Sequence, residues 1–199
     1  REVMSMKTKM LVFDMDGTIA DFYGVQGWLE DLQNESTRPY ETAKPLYDMD
    51  TLCEILELFK SLGWAIAVTT WLAKDSTKNY DDKVRKAKLE WLAKYNFPYD
   101  EIHLVKYGTT KAKCTKNKAD YQILIDDNEQ VRKGWTLGGT INANENIIKK
   151  LIDLNVRRGT ITKEEMKFSL RNRDNKIIDG EKDRIINIPF ILSVAVYFI

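Results

Sequence analysis

Two aspartates separated by one residue, Asp14 and Asp16, directly follow a short apolar run at residues 10–13, and Gly17 and Thr18 come next. The apolar run is typical of a buried strand. Carboxylates at the end of such a strand repel each other and are costly to bury. A divalent cation would remove that cost, since Mg²⁺ prefers carboxylate and phosphate oxygens. Gly17 indicates a sharp turn or a close approach of the backbone. The pattern predicts a metal-binding acidic site; the alternative is a surface Asp-Gly turn.

Two further apolar runs end in oxygen-bearing side chains. The first run precedes Thr69 and Thr70, and the second precedes Asp126 and Asp127. Strands that alternate with helices predict an α/β protein with a parallel sheet covered on both faces. Ligands bind such sheets at the carboxyl ends of the strands. We therefore expect these groups to meet the two N-terminal aspartates at one edge of the sheet.

Hydrophobic periodicity predicts the elements that hold these side chains. Strands are expected at residues 10–13, 64–68, 102–105, 121–125 and 138–141, and helices at 28–33, 51–62 and 82–95 and after Asn144. A short polar helix or turn is expected to open at residues 108–113, and loops are expected at 34–47 and 75–82. Thr51 and Glu54 have the spacing of a capping box, and Gly63 is expected to end that helix. Asn144 is the expected cap of the last helix.

The stretch from Asp14 to Thr18 resembles the first motif of the haloacid dehalogenase (HAD) superfamily, Asp-x-Asp-x-Thr, and the pair Asp126-Asp127 after a strand is similar to the fourth motif. The resemblance implies a Rossmann-like three-layer parallel sheet with HAD topology. It also implies a phosphatase in which Asp14 attacks phosphorus and Asp16 is the acid/base. Its cofactor would be Mg²⁺, bound by Asp14, by the backbone carbonyl of Asp16 and by Asp126, with Asp127 as a ligand or an anchor. The presence of Asp16 favours phosphate esters over carbon–halogen bonds as the substrate.

The resemblance implies two further phosphate-binding groups. The second motif is a Ser or Thr at the end of a strand, and Thr69 fits best, with Thr70 as the alternative. The third motif is a lysine that offsets the charge of nucleophile and phosphate. Lys111 is our choice because it opens an element just before the last catalytic strand. The other lysines nearby are Lys106, Lys113 and Lys116.

The space between the motifs admits only a small helical cap, at about residues 20–47. Arg38-Pro-Tyr, Thr-Thr-Trp and Ile-Leu-Ile-Asp-Asp are similar to segments of the 5′(3′)-deoxyribonucleotidase branch and its bacterial and phage relatives. That similarity implies a nucleoside 5′-monophosphate substrate whose base lies against aromatic side chains. The candidate aromatic residues are Phe22, Tyr23, Trp28 and Trp71. Two alternatives remain: a phosphatase for polynucleotide ends or other bulky substrates, which a short lid would admit, and a catalytically idle HAD-like binding module.

Composition limits the class of protein. The 199 residues are 43% hydrophobic and 31% charged, which fits a globular protein with one domain, expected at residues 9–155. The formal net charge of +1 gives no reason to expect stable nucleic-acid binding. A single histidine, His103, excludes His-rich metal sites. Cys53 and Cys114 lack metal-ligand spacing, and the first nine residues lack the apolar core of a secretory signal, so we expect a cytoplasmic location.

Residues 156–199 are expected to be a C-terminal extension. Part of it resembles short helical hairpins that mediate oligomerisation, so a homo-oligomer is a possible assembly. Its last 15 residues, 185–199, are almost wholly apolar but are interrupted by Pro189. A membrane span needs ~20 apolar residues, so we expect none here.

Overall fold

The computed structural model describes residues 8–157 and contains one five-stranded sheet with helices on both faces. The strands are β1 (Lys9–Phe13), β2 (Trp64–Trp71), β3 (Glu101–Val105), β4 (Tyr121–Asp126) and β5 (Gly138–Asn142). The helices are α1 (Trp28–Gln33), α2 (Arg38–Thr42), α3 (Met49–Ser61), α4 (Lys78–Lys94), α5 (Lys111–Thr115), α6 (Glu129–Lys133) and α7 (Ile147–Arg157). All strand pairs are parallel. The predicted α/β class is confirmed, and the layers are those of a Rossmann-like fold.

Alternation along β1 separates two hydrophobic cores. Leu11 and Phe13 face the larger core, which α3, α4 and α7 cover. Met10 and Val12 face the smaller core, which α5 and α6 cover. Because β1 is central and buried on both faces, its residues 10–13 are all apolar, as in other parallel sheets.

The order of the strands is β3-β2-β1-β4-β5. From β1 the chain moves outward through α3 to β2 and through α4 to β3. It then crosses the sheet through α5 to β4, on the other side of β1. The direction of winding therefore changes between β1 and β4, and α/β sheets commonly bind ligands at the carboxyl ends of strands at such a point.

Two predicted loops contain helix. α2 lies within residues 34–47, and its Pro39 is in the first turn, where a missing N–H costs nothing. α4 begins at Lys78, so only the start of 75–82 is loop. The side chain of Thr77 caps this helix by accepting a hydrogen bond from the Tyr80 backbone N–H at 3.2 Å. The first turns of both helices are mostly polar, so the hydrophobic pattern of the sequence does not indicate a helix there.

Two predicted helix caps are wrong by a few residues. Asp48, and not Thr51, caps α3: its Oδ1 accepts the Thr51 backbone N–H at 2.8 Å. At α7, Asn146 accepts from the Lys149 backbone N–H at 3.1 Å, whereas Asn144 lies before the helix. In both cases a competing capping residue stands close by in the sequence. The predicted end of α3 is confirmed, since Gly63 follows Leu62 with a φ of 78°.

The segment at residues 20–47, which we call the lid segment, joins β1 to α3 and contains α1 and α2. Its two ends are tied together: the Asp21 N–H donates to the Lys44 carbonyl at 2.7 Å, and the Leu46 N–H donates to the Ile19 carbonyl at 2.9 Å. The inner side chain Phe22 is buried against Tyr40 and side chains of α4. The lid segment is therefore anchored to the sheet at its ends and to α4 along its length.

The predictions for residues 158–199, including an oligomerising hairpin and the apolar stretch at 185–199, lie outside the described residues. The predicted boundary after residue 155 falls within α7, which continues to Arg157. Within residues 8–157, no helix combines the length and the apolar character needed to cross a membrane.

Candidate active site

Three of the predicted site residues lie in one row across the sheet. Phe13, the last residue of β1, pairs with the residues directly before Thr69 on β2 and before Asp126 on β4. Asp14, Thr69 and Asp126 therefore occupy the next row. Because side chains alternate along a strand, these three point to the face opposite Phe13, the face covered by α5. Strand register alone brings these polar groups together.

The first residue of α5 places a cation beside this row. Lys111 Nζ lies 2.7 Å from Asp14 Oδ1 and 2.7 Å from Asp126 Oδ2. Its side chain is 2% exposed, and Nζ lies 5.2 Å from the centre of the Trp71 ring. Burial alone would lower the pKa of Lys111, but the charges of Asp14 and Asp126 raise it above its ordinary value. The lysine is therefore held as a buried ammonium between two carboxylates.

The other lysines considered for this role are exposed. They are Lys106, Lys113 and Lys116. A buried lysine needs ionic partners, and of these four Lys111 is the one between the carboxylates. The geometry thus favours the choice made from the sequence.

Asp14, Asp126 and Asp127 form an acidic cluster, with one carboxylate oxygen from each lying within 4.8 Å of the others. Burial, and secondly the charge of Asp14, raise the pKa of Asp126 to about 7 and that of Asp127 to about 6. Three carboxylates and the single ammonium of Lys111 leave two negative charges when all are ionised. A divalent cation would balance that charge, and carboxylate oxygens are suitable ligands for Mg²⁺. The residues present therefore fit this metal.

The turn after β1 brings Gly17 against the acidic cluster. Gly17 has a φ of 75°, and a Cβ there would lie 2.7 Å from Asp127 Oδ2 and 2.7 Å from the ring of Tyr23. The Thr18 hydroxyl accepts the Asp127 N–H at 3.2 Å and donates to Asp127 Oδ1 at 3.4 Å. The prediction of a sharp turn or a close approach at Gly17 is confirmed on both counts.

Asp16 lies apart from the acidic cluster and has a different partner, Lys88 of α4. Lys88 Nζ donates to Asp16 Oδ2 at 2.6 Å and to Thr70 Oγ1 at 2.8 Å. Burial is the main cause of a raised pKa of Asp16; Lys88 opposes that shift and Asp14 adds to it. The carboxylate of Asp16 is directed to Lys88, and the predicted metal contact through its backbone carbonyl stays a prediction.

Lys88 was not identified from the sequence. The signal is nevertheless present, because Lys88 stands four residues after Val84 and three before Trp91, on the inner stripe of α4. A charged residue within an apolar stripe at helical spacing indicates either an ion pair or a functional site.

The two threonines at the end of β2 differ in their partners. Thr70 Oγ1 accepts a hydrogen bond from Lys88. Thr69 Oγ1 is buried and, within residues 8–157, has no hydrogen-bond partner. An unpaired buried hydroxyl is costly, and a ligand oxygen would satisfy it. The structure favours Thr69 over Thr70 as the ligand-binding hydroxyl.

The candidate aromatic residues of the lid segment differ in exposure. Phe22 is buried and packs edge-on against Trp28, with ring centres 5.7 Å apart. Tyr23 is 53% exposed, its ring edge covers Gly17, and its ring centre is 5.2 Å from that of Trp28. Tyr23 is therefore the accessible aromatic surface at the acidic cluster.

A second aromatic group consists of Trp71, at the end of β2, and Tyr107, in the loop between β3 and α5. Trp71 Nε1 donates to the Thr109 carbonyl at 2.8 Å, and its ring centre is 4.9 Å from that of Tyr107. Tyr107 is 53% exposed and was not identified from the sequence.

Together these groups place a carboxylate cluster, a buried ammonium and an unpaired hydroxyl at one edge of the sheet. Such an arrangement can hold a tetrahedral oxyanion beside a divalent cation. Comparison of the chain with models of protein families gives no match, and comparison with curated proteins gives none either.

Proposed function

We propose that this protein is an Mg²⁺-dependent phosphomonoester hydrolase of the HAD type that works through an aspartyl-phosphate on Asp14. The observation that carries the proposal is the acidic cluster with Lys111 between Asp14 and Asp126, at the point where the winding of the sheet reverses. The spacing of Asp14, Asp16 and Thr18 supports the same reaction. The strand order and the origin of the acidic groups at β1 and β4 are compatible with HAD topology.

The chain's own residues would perform hydrolysis in two steps. Asp14 attacks phosphorus and forms an acyl phosphate, while the P–O bond to the leaving group breaks and Asp16 gives a proton to the leaving oxygen. Water then attacks the phosphorus, Asp16 takes a proton from it, and phosphate and free Asp14 are regenerated. Thr69 and Lys111 hold the phosphoryl oxygens and offset their charge.

The carboxylates of Asp14, Asp126 and Asp127 would hold the metal. Bound Mg²⁺ would neutralise phosphate charge next to Asp14. The Thr18 hydroxyl orients Asp127, and the Asn128 backbone N–H, 2.8 Å from Asp126 Oδ1, orients Asp126. Such supporting hydrogen bonds fix the geometry of ligating carboxylates.

We infer a nucleoside 5′-monophosphate as the substrate. A phosphate at the acidic cluster would leave its nucleoside beside Tyr23, which is exposed at that point and supported by Trp28. Aromatic rings bind planar bases by stacking. The resemblance of three short segments to the deoxyribonucleotidase branch supports this substrate class.

The proposal is tested by measuring phosphate release from a panel of substrates with Mg²⁺ and with EDTA. The panel contains ribo- and deoxyribonucleoside monophosphates, sugar phosphates and an oligonucleotide with a 3′-phosphate. We expect release from nucleoside monophosphates only with Mg²⁺. Release from the oligonucleotide alone would instead indicate a polynucleotide-end phosphatase, and no release from any substrate by the folded protein would favour a binding module.

Replacement of the proposed nucleophile tests the mechanism. Asp14→Asn keeps the shape of the side chain but removes the attacking carboxylate, so turnover should fall roughly 10³-fold or more. Asp50→Asn is the matched control, because Asp50 is exposed on α3 and the chemical change is the same. Full activity in Asp14→Asn would contradict the proposed mechanism.

A further inference from the structure

Lys88 is a fully buried cation that the metal cluster does not use. Its side chain is 0% exposed, and its ammonium contacts Asp16 Oδ2 at 2.6 Å and Thr70 Oγ1 at 2.8 Å. Nζ also lies 5.1 Å from the centre of the Tyr40 ring, on α2 of the lid segment. These three contacts join α4, the end of β2, the turn after β1 and the lid segment at one atom.

The position of Lys88 does not require a charge for packing. It belongs to the inner stripe of α4, where its neighbours along the helix, Val84 and Trp91, are apolar and buried. Burying an ammonium is expensive, and a well-packed apolar side chain at such a position is often as stable or more stable. Retaining a lysine there therefore points to a role at Asp16.

We propose that Lys88 is a positioning residue for Asp16, an inference that rests on the function proposed above. Lys88 holds Oδ2, which leaves Oδ1 as the oxygen that carries the transferable proton. As the P–O bond breaks, its electron pair goes to the leaving oxygen, which takes the proton from Oδ1. The resulting Asp16 carboxylate then lies against the Lys88 ammonium, which keeps its own protons throughout.

The proposal predicts that the effect of replacing Lys88 on turnover depends on the leaving group of the substrate. A nucleoside leaves through an alcohol oxygen that must be protonated, whereas 4-nitrophenolate leaves as a stable anion. A residue that positions the proton donor should matter for the first substrate and little for the second. A residue that only supports the fold should affect both substrates equally.

The experiment compares the parent with Lys88→Met, which removes the ammonium but fills a similar volume. We expect kcat for the preferred nucleoside monophosphate to fall roughly 10- to 100-fold, with kcat for 4-nitrophenyl phosphate changing less than about 3-fold. Lys86→Met is the matched control, because Lys86 lies on the same helix with its side chain 75% exposed. Circular dichroism and thermal unfolding of each variant show that it is folded.

A double variant gives a second, independent readout. If Lys88 acts through Asp16, then Lys88→Met in an Asp16→Asn background should lower nucleotide turnover no further than Asp16→Asn alone. Equal losses for both substrates, or an additive loss in the double variant, would overturn the role of Lys88 while the parent remains an active phosphatase. A parent that hydrolyses neither substrate would overturn the proposed function and this inference with it.

Discussion

At the scale of single residues, Gly17 is the position where the backbone passes so close to the acidic cluster that no side chain fits between them. Gly17→Ala would place a methyl group 2.7 Å from Asp127 Oδ2 and from the ring of Tyr23. Both side chains can move away, so the protein should fold, but Asp127 would be displaced from the cluster. We expect turnover to fall by at least about 10-fold and the free energy of unfolding to fall by about 1–2 kcal/mol, measured by phosphate release and urea unfolding.

Gly63→Ala is the control that separates displacement of Asp127 from a general loss of stability. Gly63 has a φ of 78°, close to that of Gly17, but nothing lies within 4 Å of the position of its Cβ. This control should show a similar loss of stability with unchanged turnover. If Gly63→Ala lost activity to the same degree, the effect at Gly17 would come from stability and not from the acidic cluster.

Individual site residues were predictable where the neighbouring sequence determines their position relative to a strand or helix. Asp14 and Asp126 follow apolar runs, so their position at the strand ends could be derived from the pattern. Lys111 could be ranked first among several lysines because it opens a helix before β4. Lys88 could not be found in that way, since its contact with Asp16 spans 72 residues and depends on how α4 packs.

At the scale of elements, the lid segment should determine affinity more than rate. Tyr23 is its exposed aromatic surface next to the cluster, so Tyr23→Ala removes a stacking partner without touching the reacting groups. We expect KM for nucleoside monophosphates to rise about 3- to 10-fold with kcat nearly unchanged. Steady-state kinetics with nucleotides and with a sugar phosphate measure the effect, which should be absent for the sugar phosphate.

Leu29→Ala is the control for the lid segment, because Leu29 lies on α1 and is also 53% exposed. Loss of this exposed apolar side chain should leave KM unchanged. An equal rise of KM in both variants would mean that the substitutions disturb the lid segment as a whole, and the assignment of Tyr23 to the base would then be wrong.

Elements were predicted well where apolar residues define them and poorly where polar residues do. The strands β1, β2 and β4 and the interior of α3 and α7 carry a strong hydrophobic pattern, and they lie where they were expected. The less apolar β3 and β5 also lie at the expected positions. The first turn of α4 and the whole of α2 are short of apolar residues, and the packing of α2 against α4 holds it in place. Local sequence also offers two or three capping residues near α3 and α7, and backbone geometry decides between them.

At the scale of the whole molecule, the parallel sheet follows from the alternation of strands and helices, but the order of the strands does not. That order places β1 between β2 and β4, which puts Asp14, Thr69 and Asp126 in one row at the ends of three adjacent strands. Convergence at one sheet edge was predictable from the direction of the strands. The ion pairs within it depend on distances that only the folded chain defines.

The acidic cluster should make the stability of the molecule depend on pH and on Mg²⁺ together. In the metal-free protein the pKa values of Asp126 and Asp127 are raised to about 7 and about 6, so between about pH 4 and pH 7 the folded state holds more protons than the unfolded state. Through these two groups, the free energy of unfolding should therefore fall as pH rises across that interval. Mg²⁺ binds the deprotonated carboxylates, so its stabilising effect should grow over the same interval.

Thermal unfolding at pH 5 and pH 8, with Mg²⁺ and with EDTA, tests this linkage. At 100 times the dissociation constant the metal adds about 2.7 kcal/mol, which corresponds to an increase in Tm of about 5–10 °C for a domain of this size. The increase should be largest at pH 8. Asp127→Asn removes one ligand and one raised pKa, so both the metal-induced increase and the fall in metal-free stability with pH should become smaller. An Mg²⁺ effect that is absent at pH 8, or equal at the two pH values, would show that these carboxylates do not form the metal site, because deprotonation of the cluster is what creates its affinity for a divalent cation.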